Sequence, residues 1–431
     1  MRLLDGRLRW LLIFWIFLIS AISYLDRVNI SIAGQFIQKE YRLSNVQLGW
    51  VFSAFVLGYA LFQAPGGKLA DRFGARRIIT LGVVWWGIFT TATALVPPGF
   101  RMAIALLIAT RFVLGLGEAV VYPSSNRLVA NWIPSPERGI ANGWIFTGVG
   151  AGAGITPPLI TFILIHWGWR WSFYVSAIIG LAAGAVWYLL ARDTPREHPW
   201  ISKRELAHIE AGLPDPAVKT EARKPLPFLA IIGNRSFLAI TLSYFSYGYI
   251  TYIFFTWFFT YLSRVRGLNL KASAFYSMLP FIAMACGSLA GGCAADILTK
   301  RYGKRVGRCG LAVFGIALSA AFIALATQVE SAEFASLVLA GGAGALYLSQ
   351  SSFWAVTADI AGPSAGFASG LMNMGGQTGG ALTASLTPWI ADRCGWTASF
   401  LVAAGLCALG ALAWLFVNPD VPIAEGRPTR V

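Results

Sequence analysis

The sequence predicts an all-α membrane protein of twelve transmembrane helices in two pseudo-symmetric six-helix bundles. Three observations predict it. The 431 residues are 56% hydrophobic and only 12% charged, a balance that the core of a soluble domain does not need. Continuous apolar runs at residues 9–25, 78–96, 172–191, 310–327 and 397–417 match or approach the roughly 20 residues that cross the hydrocarbon of a bilayer as a helix. The second half of the chain also repeats motifs of the first at a nearly constant offset.

Helices must carry the chain through lipid, because a spanning barrel would show alternating segments of about ten residues. Apolar runs with Gly interruptions place them near residues 9–37, 46–67, 75–97, 101–131, 137–166, 170–191, 234–262, 272–296, 305–327, 332–358, 364–392 and 396–417. The opening MRLLDGRLRW and its apolar run resemble a cleavable leader. No small-residue cleavage site follows, and the run ends in Tyr24-Leu25-Asp26-Arg27, so it reads as a retained first helix. Residues 192–233 are charged and Pro-rich and read as a cytoplasmic linker. Within it Ser202 and Glu205 have the spacing of a capping box that opens a short surface helix, SKRELAHIEAGL. The expected divisions are an N-terminal bundle at 1–191, the linker at 192–233 and a C-terminal bundle at 234–431.

The repeat rests on two independent pairs. Gly67-Lys-Leu-Ala-Asp71-Arg72-Phe-Gly74-Ala-Arg76-Arg77 recurs as Gly292-Cys-Ala-Ala-Asp296, followed by Lys300, Arg301, Gly303, Lys304 and Arg305, a shift of 225. Gly168-Trp-Arg-Trp-Ser-Phe173 recurs as Gly395-Trp-Thr-Ala-Ser-Phe400, a shift of 227. Such agreement points to duplication. Six helices per half keep the halves parallel, the arrangement in which carriers hold substrate at mid-membrane between repeats.

A formal charge of +15 would point to nucleic acid in a soluble protein, but the location of the charges points elsewhere. With the N-terminus cytoplasmic, 24 of the 34 Lys and Arg fall in cytoplasmic segments and eight on the other side, with Arg27 and Arg111 inside. This is the positive-inside bias, with both termini cytoplasmic and no nucleic-acid partner expected. Cys286, Cys293, Cys309, Cys394 and Cys407 lack metal-ligand spacing and read as packing residues. His166, His198 and His208 fall near a helix end and in the linker, so no metal or cofactor site is expected. The run Gly148-Val-Gly150-Ala-Gly152-Ala-Gly154 lies in a membrane helix without a Lys and reads as close helix packing rather than a phosphate loop.

At this point the chain resembles the major facilitator superfamily over nearly its full length. The loop from Gly67 to Arg77 resembles the signature between that superfamily's second and third helices, and Arg111-Phe-Val-Leu-Gly115-Leu-Gly117 its fourth-helix signature. Four segments are similar to the anion:cation symporter family, which includes bacterial sugar-acid permeases, sialin and vesicular glutamate transporters. They are Tyr24-Leu-Asp26-Arg27-Val-Asn29, Arg111 to Glu118 with Tyr122-Pro-Ser-Ser-Asn126, Trp132-Ile-Pro-Ser-Pro-Glu-Arg138, and Arg192-Asp-Thr-Pro-Arg-Glu-His-Pro199. The second-half loop departs from the pattern, with Asp296-Ile297 in place of an Asp-Arg pair.

Asp26, Arg27, Arg111 and Glu118 stand out on chemistry alone, since each ionisable residue near mid-bilayer costs about 2.5–3.5 kcal/mol on insertion scales. The bland reading is a pair of structural ion pairs. Spacing sharpens the functional one: Ser20, Ser23, Tyr24, Arg27 and Ser31 share a helical face, as do Arg111, Gly115, Glu118 and Tyr122. Two such stripes would line a charged cavity whose fixed charges cancel while both acids are ionised. Protonating one acid leaves +1 and releases a guanidinium whose planar fork suits a carboxylate.

The resemblance implies the same roles, with Asp26 and Glu118 as proton-coupling acids, Arg27 as the substrate-binding arginine and Arg111 holding the acids or the substrate. It further implies Tyr24 and Tyr59 as substrate contacts, and Gln350, Ser351, Trp354 and Asn373 as contacts from the second half. Asp71 and Arg72, at a helix end, are expected to form a conformational latch. The function expected is proton-coupled import of a small organic anion, a hexuronate, aldonate or aldarate, by a monomer set in the lipid of a bacterial inner membrane. The alternatives are an aromatic or small dicarboxylic acid as substrate, or an organic-anion exchanger or exporter. An enzyme is not expected, since no nucleophile and base, metal cluster or nucleotide loop is legible.

Overall fold

The computed structural model describes residues 6–134, 137–213 and 226–423. The chain forms two compact units, one of Met1–Ser44 with Trp50–Glu221 and the other of Asn45–Gly49 with Ala222–Val431. The first holds α1 (Leu8–Tyr41), nearly all of α2 (Asn45–Phe73), α3 (Ala75–Leu95), α4 (Ala103–Glu118), α5 (Val121–Trp132), α6 (Arg138–Trp167), α7 (Trp169–Leu190) and the linker helix α8 (Lys203–Gly212). The second holds α9 (Phe228–Ile232), α10 (Arg235–Thr256), the single turn α11 (Phe258–Thr260), α12 (Leu270–Lys304), α13 (Leu311–Ala326), α14 (Ala332–Tyr347), α15 (Gln350–Ala361) and α16 (Ala365–Ala413).

Ten helical stretches among the described residues are long and apolar enough to cross a bilayer. Two of them, Leu270–Ala326 and Ala365–Phe416, run to 57 and 52 residues. Straight helices of that length would be about 80 Å long, more than twice the hydrocarbon thickness. Each is instead broken at a glycine in the left-handed region, Gly303 at φ 84° and Gly395 at φ 83°, where a side chain would be strained. Each therefore supplies two spans, which gives the twelve expected from the sequence. Elsewhere α4 and α5 form one span interrupted at Ala119 and Val120, and α14 and α15 one interrupted at Leu348 and Ser349.

The same devices recur in both units. Gly168 enters α7 at φ 85°, ψ 167°, and Gly395, its partner in the sequence repeat, takes φ 83°, ψ 162°. A Cβ on Gly58 would collide with the Phe112 carbonyl oxygen, and one on Gly287 with that of Gly344. Here α2 meets α4, and α12 meets α14, backbone to backbone, which only a small residue allows. Gly148 and Gly152 bring α6 equally close to α1, at the carbonyls of Phe17 and Ala21.

Two sequence expectations need correction. Only Cys309 and Cys407 are buried; Cys286, Cys293 and Cys394 are exposed, because an outward face in lipid is as apolar as a core. The capping box is half formed. The Ser202 hydroxyl accepts the Glu205 N–H at 3.1 Å, but the buried Glu205 carboxylate accepts the backbone N–H groups of Leu8 at 3.2 Å and Arg9 at 3.1 Å. Those first-turn donors have no side-chain cap of their own, and a carboxylate there also meets the positive end of the helix dipole. Of the expected latch, Arg72 is exposed with its guanidinium over Phe73, while the Asp71 side chain lies outside the described residues.

The linker is fastened at further points. The Arg9 guanidinium pairs with Glu205 at 3.3 Å and Glu137 at 3.0 Å, and Glu137 also meets His208 at 2.8 Å. Buried His198 accepts the Trp200 N–H on Nδ1 at 3.1 Å and bonds the Leu190 carbonyl through Nε2 at 2.9 Å. Both nitrogens are thereby committed to the neutral ring, and burial holds the imidazole below its ordinary value of 6.5.

Two outcomes are expected. Glu205→Ala should cost about 1–3 kcal/mol, since it strips the acceptor from two buried N–H groups, and should lower the thermal midpoint of the purified protein; an unchanged midpoint would show those donors satisfied otherwise. Because folded His198 binds a proton less readily than unfolded histidine, its contribution to stability is present above pH 6.5 and is lost as pH falls below it. Melting curves over roughly pH 5 to 8 should show that slope flattened in His198→Gln.

Candidate functional site

The first unit buries four charges that α1 and α4 carry into the membrane: Asp26, Arg111 and Glu118 are each 1% exposed and Arg27 is 7% exposed. Neighbours on a helix lie about 100° apart, so adjacent Asp26 and Arg27 cannot face the same partner. Arg27 turns to α4, where its Nε donates to Glu118 Oε1 at 2.6 Å, and the Ser23 hydroxyl, one turn earlier, donates to the same oxygen at 2.7 Å. Glu118 Oε2 is buried without a hydrogen-bond partner. Asp26 turns instead to α3 and accepts the Thr90 hydroxyl on Oδ2 at 2.9 Å, leaving Oδ1 buried and unbonded. The two acids of the expected cavity therefore stand in different settings: one in an ion pair, the other on a neutral hydroxyl.

Aromatic rings enclose the arginines. The Arg27 guanidinium lies 4.0 Å from the Tyr59 ring centre, 4.7 Å from Tyr24 and 5.2 Å from Phe55, and Arg111 lies 4.9 Å from the same Phe55 ring. A desolvated cation over an aromatic face gains about 2 kcal/mol, so Phe55 steadies two like charges at once. The glycine contact positions it: a Cβ on Gly115 would strike the Phe55 carbonyl and the Tyr59 amide. Arg111 Nε and Nη1 are buried without hydrogen-bond partners, two donors that an anionic group could take up.

The sequence reading named Tyr24, Asp26, Arg27, Tyr59, Arg111 and Glu118, and the structure brings them into one neighbourhood. It passed over Phe55 and Thr90, and over the bond between the Ser20 and Tyr122 hydroxyls at 2.7 Å. Phe55 is one turn before Tyr59 and could have been found by that spacing. Thr90 gives no such signal among the threonines of α3.

In the second unit α15 carries Gln350, Ser351 and Trp354, and α16 carries Asn373. Gln350 Oε1 and Ser351 Oγ are buried without hydrogen-bond partners. Tyr244 stacks on Tyr247 at 5.2 Å and meets Phe353 at 4.8 Å and Trp354 at 6.4 Å edge-on. The Thr357 hydroxyl reaches the Met372 sulfur at 3.2 Å and ties α15 to α16 beside Asn373. Polar groups next to aromatic faces suit a ligand with both hydroxyls and a C–H surface.

Residues 16–305 and 283–431 match the sequence profile of the Major Facilitator Superfamily. The chain is 34% identical over 400 residues to a probable sulfoacetate transporter of Cupriavidus necator, covering 92% of this chain and 91% of that protein. It is 32% identical over 424 residues to a probable galactarate/D-glucarate transporter of Bacillus subtilis, covering 94% and 90%. A hexuronate transporter of the same organism is 31% identical over 422 residues, covering 96% and 95%. Among solved structures, a bacterial homologue of the human lysosomal transporter Spinster, inward-facing and unoccupied, superposes with a TM-score of 0.75 at 20% identity over 98% of this chain and 99% of that one. A D-xylose-proton symporter gives 0.69 at 15% identity, over 96% and 98%. At such identities the structural likeness shows the fold, and the sequence matches show the family. The chain belongs to the Major Facilitator Superfamily, among its anion:cation symporter-type permeases, and is a multi-pass membrane transporter rather than an enzyme.

Proposed function

We propose that the protein is a proton-coupled symporter that imports a sugar acid, a hexuronate, aldonate or aldarate, by alternating access. The observation that carries this reading is the buried Arg27–Glu118 pair at 2.6 Å beneath the rings of Tyr24 and Tyr59. While both acids are ionised the four buried charges cancel and an anion gains little. Protonation of Glu118 removes the negative partner of Arg27, leaves a net +1, and frees the guanidinium fork for a substrate carboxylate. Asp26 is the second proton carrier, held by Thr90. Gln350, Ser351, Asn373 and Trp354 contact the hydroxylated carbon chain. The transporters of galactarate, glucarate and hexuronate among the relatives support the substrate class. The basic segments support cytoplasmic termini in a bacterial inner membrane, and the family supports a monomer.

A second reading, a small dianion without hydroxyls, is favoured by the relative named for sulfoacetate. The two unbonded donors of Arg111 would receive its second anionic group.

Uptake by proteoliposomes under an imposed pH gradient, with D-glucuronate, D-galactonate, D-glucarate and sulfoacetate as the panel, separates the readings. A sugar acid should accumulate and a protonophore should abolish the accumulation. Sulfoacetate alone would favour the second reading, and uptake indifferent to the gradient would remove proton coupling.

Arg27→Lys keeps the charge but loses the fork, and should weaken binding of the accumulated anion by about 2–5 kcal/mol in calorimetry; an unchanged affinity would take Arg27 out of the site. Glu118→Gln imitates the protonated acid. Binding and counterflow exchange should survive, while gradient-driven accumulation disappears. Accumulation at the wild-type level would leave Asp26 as sole proton carrier.

A further inference from the structure

We propose that the hydroxyls of Ser23, Ser20 and Tyr122, with one water between the two serines, form the relay through which Glu118 passes its proton toward the Leu8 end of α1; this rests on the proton-coupled reading above. Glu118 is sealed from solvent and must nevertheless gain and lose a proton in each cycle. Its Oε1 is bonded to Ser23 at 2.7 Å, and Ser20 is bonded to Tyr122 at 2.7 Å. Ser20 and Ser23 are both fully buried and lie three residues apart on one face of α1, with Cβ atoms about 5–6 Å apart. A water bridging their hydroxyls completes the path. Tyr122 is partly exposed, and its ring lies parallel to that of Phe146 at 5.5 Å with an interplanar angle of 3°.

The chain thus leads from a sealed carboxyl to a partly exposed tyrosine. The Leu8 end is the one that the basic residues assign to the cytoplasm. Glu118 and Tyr122 are themselves four residues apart across the break at Ala119 and Val120, so both ends of the relay are fixed by one span.

The transfer balances with one bridging water and no other reactant. Protonated Glu118 gives its proton to Ser23 Oγ, Ser23 passes its own hydrogen to a bridging water, that water to Ser20, Ser20 to Tyr122, and Tyr122 to outside water. Each hydroxyl accepts one proton and releases one, so none has to ionise. Glu118 is left as a carboxylate and re-forms its pair with Arg27, while the bond that Ser23 donates to Oε1 marks the relay after discharge.

Tyr122→Phe and Ser20→Ala remove one hydroxyl each at nearly constant shape, and Ser20→Thr restores it. In proteoliposomes with D-glucarate, D-glucuronate and sulfoacetate as probes, both deletions should slow gradient-driven uptake by about a hundredfold or more, the scale of a lost proton-transfer group. Counterflow exchange of the same anion, which releases no proton, should be unchanged, Ser20→Thr should recover uptake, and wild-type uptake should slow in D₂O. Wild-type rates in both deletions, or a parallel loss of exchange, would overturn the relay. A wild-type protein that takes up none of the probes under the gradient would overturn the reading beneath it as well.

Discussion

The N-terminal unit is organised around one ion pair placed where ion pairs are most expensive. A guanidinium and a carboxylate taken out of water each carry a desolvation cost of several kcal/mol, which their attraction offsets only with good geometry and added hydrogen bonds. Arg27 and Glu118 have both, in a 2.6 Å contact reinforced by Ser23 and covered by Tyr24, Tyr59 and Phe55. The pair does not satisfy everything within reach. Glu118 Oε2, Asp26 Oδ1 and two nitrogens of Arg111 remain buried without partners. Such groups are costly in a structure that does only one thing. On the proposed transport reading they are the groups that would change partners.

That geometry depends on glycine. Phe55 and Tyr59 can lie against the arginines only because α2 approaches α4 to backbone contact, and the contact requires Gly58 and Gly115. Gly115 lies midway between Arg111 and Glu118, so a single segment of α4 supplies a cation, the notch that seats the aromatic rings, and an anion. Much of the apparent monotony of Arg111-Phe-Val-Leu-Gly-Leu-Gly-Glu118 is therefore helix packing in the service of charge. The second unit repeats the notch with Gly287 and Gly344 but sets Tyr347 and an aromatic cluster beside it. It carries no comparable buried charge among its described residues.

Most of the fold and the buried charges of the candidate site were legible in the sequence, for definite reasons. Span length and the Gly-Trp repeat follow from local chemistry, and the two positive-φ glycines that divide the longest helices lie in motifs already visible as repeats. The charges were legible because lipid makes them conspicuous. What escaped depends on rotation about the helix axis combined with a neighbour distant in sequence. Asp26 was read as an acid of the same cavity as Arg27, although adjacency in a helix sends it to α3 and Thr90. Glu205 was read as capping its own helix, yet its carboxylate is more useful 197 residues away at Leu8, where bare N–H donors are waiting. No local spacing encodes either choice.

The asymmetry of the two acids has a consequence for coupling. On the proton-coupled reading proposed above, Glu118 competes directly with an incoming carboxylate for Arg27, so its proton and the substrate's arrival would be linked through one guanidinium. Asp26 shares no atom with that contest; its bonded neighbour is a neutral hydroxyl, and it influences the arginines only through space. Charge on Asp26 therefore sets how strongly positive the cluster is, whereas charge on Glu118 decides whether Arg27 is available at all. An anion bearing a second charge draws on the first property as well as the second, because its second group needs the unbonded donors of Arg111 and a cluster positive enough to keep it. On that proposed reading, discrimination between singly and doubly charged substrates would belong to Asp26 and Arg111, and discrimination between an anion and no anion to Arg27 and Glu118.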